Sequence, residues 1–169
     1  MQITTDYEAA LARKFPEPIA IAIAKDEQGK HNPITLGWVM NTSIEPPMLA
    51  MSIGLTRHSL AAVRHAREFV ISFPATDMTD AMLLFGTKSG RDLDKLAESG
   101  TRIQPATEID SVLLSDAAAN FECVLESELA TGDHVIFVGR VVASHVHRDP
   151  AVRRLYTLGN EQFGGVIPG

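Results

Sequence analysis

The run Asn32-Pro-Ile-Thr-Leu-Gly-Trp-Val-Met-Asn-Thr-Ser-Ile-Glu-Pro-Pro-Met-Leu-Ala-Met-Ser-Ile-Gly-Leu-Thr-Arg-His-Ser59 decides how this chain folds. It starts polar, then carries an apolar stretch from Ile34 to Met40 and a second from Met48 to Ile53. Both read as strands. The segment Asn41 to Pro47 between them is turn-rich, and its proline pair sets an extended approach to the second strand. A helix then opens at Arg57, His58 and Ser59. Unsatisfied backbone N–H groups, the positive end of the helix dipole, a hydroxyl and a guanidinium would converge there, which is what a phosphate group needs. A Ser59 N-cap beside a surface arginine accounts for the same residues. The residues alone leave both accounts open.

Working outward, Ile19 to Ala24 and Glu68 to Phe73 read as short strands, and Tyr7 to Lys14 as a helix that Asp6 caps and Pro16 and Pro18 stop. Further helices are expected over about Ser59 to Arg67, Met78 to Phe85 with Thr76 or Asp77 as cap, and Asp92 to Ser99. In the second half, Phe121, Cys123 and Leu125 alternate with Glu122, Val124 and Glu126, a strand period. The run His134 to Val146 is long for one strand and is expected to bend at Gly139. A short basic helix, Ala151 to Leu155, and an irregular glycine-bearing arm from about 156 to 169 complete the reading. Short strands, few helices and one long bent strand predict a mainly β barrel with peripheral helices, not a doubly wound sheet.

Composition sets the bounds. With 169 residues and 45% apolar content, one domain spanning 1–169 can bury its core without staples. That length leaves no room for separate dinucleotide and catalytic domains, so two-substrate chemistry must share one site or borrow a wall from a second copy. A formal charge of −6 argues against nucleic acid as a partner, while allowing a local basic pocket. The single cysteine, Cys123, excludes an intramolecular disulfide and fits a reducing cytoplasm. The start of the chain has no signal pattern, and Ile19 to Ala24 is far too short to span a membrane.

Familiar catalytic motifs are missing. There is no Gly-x-Gly-x-x-Gly, nucleophile elbow or His-Glu-x-x-His, and Gly86-Thr-Lys-Ser-Gly-Arg91 has the wrong spacing for a Walker loop. Cys123 reads as a packing residue rather than a nucleophile. His145 and His147 lie two apart on a strand near Asp149, but without a third ligand of defined geometry they read as a solvated strand end, and no metal site is expected.

Three blocks in order carry a family resemblance. The first holds Asn32 and Thr35, then Pro46-Pro47, Arg57 and Ser59, and Glu68-Phe69-Val70. The second is Ser89-Gly-Arg-Asp-Leu-Asp-Lys95, and the third is Gly132-Asp133-His134 leading into a strand, with Arg140 where an acidic residue is common. Together they resemble the flavin reductase-like, FMN-binding split-barrel family, its flavoredoxin-type branch in particular. The resemblance implies a six-stranded split barrel with Greek-key connections, a homodimer, and FMN in a groove near the subunit interface. On that footing Arg57 and Ser59, with His58 beside them, hold the phosphate, and Lys95 or Ser89 adds charge and a donor. Asn32 belongs to the same cradle. The backbone from Thr35 through Leu36, Gly37, Trp38 and Val39 to Met40 meets the ring edge, Asn41 and Thr42 line the ribityl chain, and Ser52 is a further contact. Trp38 either stacks on the ring or packs in a core or dimer interface. His134 is either a residue on the nicotinamide side or a capped turn histidine.

The implied activity is NAD(P)H:flavin oxidoreduction, in which the flavin carries the hydride and the protein supplies orientation and electrostatics. A flavin-dependent monooxygenase or another electron acceptor would consume the product. The competing reading is a non-catalytic FMN-binding electron carrier, flavoredoxin-like, reduced by a protein partner.

Overall fold

The alternation Ala20-Ile21-Ala22-Ile23-Ala24 puts small side chains on one face of a strand and large ones on the other. The computed structural model, which describes residues 1–166, uses both faces. Ala20, Ala22 and Ala24 point into a barrel interior with Leu49, Met51, Ile53, Phe69, Ile71, Cys123 and Phe137. Ile21 and Ile23 point outward into a second core made with Val70, Met78, Phe85, Leu96 and the run Val112 to Leu114.

In chain order the elements are α1 (Tyr7–Leu11), β1 (Glu17–Pro18), β2 (Ala20–Lys25), β3 (His31–Leu36), β4 (Val39–Ser43), β5 (Met48–Gly54), α2 (His58–Ala66) and β6 (Glu68–Phe73). After a 3-10 turn at Thr76–Met78 come α3 (Thr79–Thr87), α4 (Lys95–Ser99), β7 (Ile103–Pro105), β8 (Val112–Leu114), β9 (Ala119–Thr131), β10 (His134–Val146), β11 (Tyr156–Gly159) and β12 (Gln162–Gly164). The main sheet runs β3-β2-β6-β9-β10-β5-β4, with antiparallel pairing throughout. Its two outer strands, β3 and β4, are separated in sequence by Gly37 and Trp38 alone. Two residues cannot span an open seven-stranded sheet, since strands lie about 4.8 Å apart and a residue reaches about 3.5 Å. The sheet therefore curls until its ends meet. This is the expected split barrel, with one strand more than expected because Ile34 to Met40, read as a single strand, breaks at Gly37-Trp38.

Helix α2 lays Leu60, Ala62 and Val63 on the barrel interior. It ends at Arg67, whose left-handed backbone (φ 56°) stops it, and Arg64 and His65 sit in its negative last turn. Helices α3 and α4 cover the outer face through Met82, Phe85 and Leu96. The turn Gly132 (φ 55°) joins β9 to β10, and β10 shifts register between Val138 and Gly139, the expected bend. A Cβ on Gly139 would lie 2.5 Å from Phe69 Cζ and 2.8 Å from the Cβ of Cys123. Gly139→Ala is accordingly expected to cost about 2 kcal/mol, a fall of roughly 5 °C in Tm by circular dichroism.

Several local expectations are corrected. The first helix covers Tyr7–Leu11 rather than reaching Lys14, although Asp6 caps it as expected. The fourth starts at Lys95, with Asp94 as cap, rather than at Asp92. Neither Thr76 nor Asp77 caps α3 through its side chain. Residues 151–155 form no helix: Arg154 bridges to Ala75, and its guanidinium lies over the rings of Phe73 (4.0 Å) and Tyr156 (5.1 Å). That stacking and the surrounding backbone pairing hold the segment extended. The arm forms the hairpin β11–β12, paired to β1; residues 167–169 lie outside the described residues. Glu122, expected on the polar side of its strand, is fully buried.

Candidate functional site

Helix α2 begins where the sequence predicts, but its chemistry is distributed differently. Arg57 occupies the N-cap position with extended backbone and no side-chain capping bond. Ser59 is two residues further in and buried, so it does not cap. Its Oγ accepts from Asn32 Nδ2 at 2.6 Å, which leaves the hydroxyl hydrogen to donate elsewhere. The amides of His58 and Ser59 have no acceptor within the helix, whereas Leu60 N already donates to Arg57 O at 3.1 Å.

These groups face a cavity of about 170 Å³. One wall is Asn32 and Ile34 of β3 with Thr56 to Ser59; the other is Phe85 to Arg91 at the end of α3, with Lys95 from α4. Lys95 is 3% exposed and donates to Phe85 O at 3.1 Å. Burial, then the nearby charges of Arg57 and Lys30, push its ammonium down to about 8. Among the described residues neither Arg57 nor Lys95 pairs with a carboxylate, and no acidic side chain lines the cavity. Gly90 closes the wall tightly: a Cβ there would collide with Asn32 Oδ1. A buried lysine and an exposed arginine, neither paired with a carboxylate, join a free hydroxyl hydrogen and orphan amides in one small cavity, a set of donors that fits a phosphate.

A second cavity, lined by Ile34 to Trp38, Ser52, Gly54, Arg57 and His134, adjoins the first and shares Ile34 and Arg57 with it. The break after β3 leaves the Gly37-Trp38 backbone on its rim, and Trp38 O accepts from Ser52 N at 3.0 Å. Beyond it, Trp38, Val39, Met40, Met51 and Ile136 give a third cavity of about 430 Å³ its apolar walls, with Lys14, Glu17, Asp133 and His134 at its polar side. Trp38 is 51% exposed, which removes it from the core. Its ring centroid lies 4.8 Å from that of His134, whose Nδ1 is 2.7 Å from Asp133 Oδ1. His134 lines both of the outer cavities.

The structure thus gathers Asn32, Arg57, His58, Ser59, Ser89 and Lys95 at one end, and Thr35, Leu36, Gly37, Trp38 and Ser52 in the middle, with Val39 and Met40 beyond. Thr35 commits its hydroxyl hydrogen to Met82 O at 2.5 Å, so toward the cavity its oxygen only accepts. Leu36 is buried with the core. Asn41 and Thr42 are exposed on β4 and line none of these cavities, because the strand carries them past the groove. The segment Gly86 to Arg91, set aside for its non-Walker spacing, forms a wall of the cationic cavity. Its two glycines and two cations were the signal.

His145 and His147 each have another partner. His145 Nε2 sits 2.7 Å from Glu122 Oε1, while His147 Nδ1 accepts from Asp149 N. Among the described residues no group of three or more His, Cys, Asp or Glu side chains is arranged for a metal, and no helix is long and apolar enough to cross a membrane. Cys123 is buried and its thiol is pushed up to about 12 by burial and the charge of Glu122, which makes it inert.

The family model of the flavin reductase like domain matches residues 12–164, and the chain belongs to that flavin-binding family. An NADH-dependent FMN reductase of Streptomyces nodosus subsp. asukaensis is 28% identical over 129 residues, 76% of this chain and 69% of that one. The structure of an FMN-binding protein from Thermus thermophilus superposes with a TM-score of 0.83 at 25% identity, covering 98% of this chain and 94% of that one. Flavoredoxin from Methanosarcina acetivorans shares the fold, with a TM-score of 0.86 at 21% identity, over 100% of this chain and 93% of its own. For four curated relatives, the matched region spans 64%, 72%, 78% and 54% of their length.

Proposed function

We propose that the chain binds FMN and acts as an NAD(P)H:flavin oxidoreductase. The observation that carries the reading is the cavity where Arg57, Lys95, Ser59 and the first amides of α2 converge with no carboxylate among its lining, opening into a groove along Thr35 to Trp38. Arg57 offers a planar fork and Lys95 a point charge to phosphate oxygens. Apart from the Trp38 carbonyl, which takes the Ser52 N–H, the Gly37-Trp38 backbone lies outside the strands and offers polar groups to a ring edge. Bound FMN supplies the hydride-accepting chemistry. The protein orients: Trp38 and His134 wall one side, and the apolar cavity beyond them receives a flat donor or acceptor and keeps water from it. A second copy of the chain completes the groove, and the protein works in the cytoplasm with a monooxygenase or another acceptor downstream. The FMN-binding and NADH-dependent relatives support this assignment.

Purified protein is expected to bind FMN saturably, seen by absorbance and fluorescence quenching, and to reduce it within milliseconds to seconds when mixed with NADH or NADPH in stopped flow. Absence of saturable FMN binding at high micromolar concentration overturns the assignment. Binding with slow reduction by both nicotinamides marks an electron carrier instead.

A further inference from the structure

The turn between β2 and β3 braces both walls of the cationic cavity, and nothing in the flavin reading assigns it a role. Asp26, 5% exposed, accepts from Gln28 N (3.0 Å) and Lys30 N (2.9 Å) through Oδ1. Its other oxygen, Oδ2, lies 3.5 Å from His58 Nε2, on the α2 wall. From the same turn, Lys30 Nζ donates to Leu93 O at 2.7 Å and, more weakly, to Gly90 O at 3.5 Å, on the opposite wall. One turn thus fixes the spacing of the cradle. It also places a carboxylate behind an imidazole that lines an anion site.

We propose that Asp26 is a positioning residue for phosphate recognition: it holds His58 against the cavity so that a protonated imidazole faces the phosphate alongside Arg57 and Lys95. This rests on the reading of the cavity as a phosphate cradle. Around His58 stand one carboxylate, Asp26, and the cavity's cations Arg57, Lys88, Arg91 and Lys95, with Lys30 on the bracing turn. A bound phosphate would add a second negative partner for a positive imidazole. Burial works to raise the Asp26 carboxyl, but the N–H groups of Lys30 and Gln28 and the His58 ring outweigh it and hold it below its ordinary value, so it stays charged.

The test compares FMN with riboflavin, which lacks the phosphate, by fluorescence titration from about pH 5.5 to pH 8.5. Asp26→Asn keeps an acceptor for the turn and removes only the charge. It is expected to weaken FMN about tenfold near pH 6, leave riboflavin unchanged, and flatten the fall in FMN affinity with rising pH. His58→Gln is expected to flatten the profile likewise, and it carries the test if Asp26→Asn fails to fold. If wild type prefers FMN but both soluble variants keep its affinity ratio and pH profile, the role of Asp26 is overturned while the flavin reading stands. If wild type binds FMN no better than riboflavin, the phosphate cradle itself is wrong.

Discussion

Replacing Arg57 with alanine is expected to weaken FMN binding about a hundredfold and leave riboflavin binding nearly unchanged. Arg57 ends the loop before α2, lines both the cationic cavity and the groove beside it, and has no carboxylate partner among the described residues. Its side chain makes no capping bond, so truncation should leave α2 intact. A bidentate guanidinium–phosphate contact in a half-enclosed site contributes on the order of 3 kcal/mol, which sets the scale of the loss. Titrating both flavins separates charge recognition from ring recognition. Equal losses for both would remove Arg57 from the phosphate and move it to the ring.

Glu122→Ala is expected to destabilise the fold by about 3–5 kcal/mol, read from urea unfolding. Glu122 is fully buried on β9. One oxygen accepts from Thr107 N (2.8 Å), Thr107 Oγ1 (2.9 Å) and the His145 ring; the other accepts from Glu108 N (2.7 Å) and Ile109 N (3.2 Å). Truncation removes the acceptor that these part-buried donors share. The same carboxylate makes an acid-labile fastening. Burial works to raise its pKa, yet the amides of Thr107 and Glu108, the Thr107 hydroxyl and His145 together lower it to about 2, against 4.5 for an ordinary glutamate. Because the folded-state value is depressed, the contribution is complete above the ordinary value and is lost as pH falls toward about 2. It amounts to roughly 3 kcal/mol. Wild type should therefore lose stability steeply between about pH 5 and pH 2, and the variant should lose less over that interval.

Much of the barrel is legible in single strands. The run Ile19 to Ala24 announces a strand, though not that both of its faces are buried, and Gly139 announces the bend of β10. Arg57, His58 and Ser59 mark the proposed phosphate cradle because the chemistry sits at a helix start. Other parts are hidden for stated reasons. The apolar run Ile34 to Met40 looks continuous, and only its two positions on opposite edges of the sheet show that it must break. Glu122 falls in a period-two pattern that normally turns a carboxylate outward, and its partners at 107–109 arrive from a loop with no sequence signature. Arg154 sits among good helix formers, but stacks on Phe73, distant in sequence, and on Tyr156, two residues further along the chain. Asp26 reads as an ordinary turn residue, since His58 reaches it only through the fold.

The Gly37-Trp38 joint has one more consequence. A barrel is commonly closed by zipping its first strand to its last, which brings remote parts of the chain together at the cost of a long loop. Here the two lips of the sheet are neighbours along the chain, so they are tethered even in the unfolded state. Closing the cylinder then adds almost no loop entropy of its own, because it follows once the strands on either side have paired. The groove along those lips takes its shape at that same moment: it is a seam held by a two-residue stitch, and its width is set by the whole cylinder.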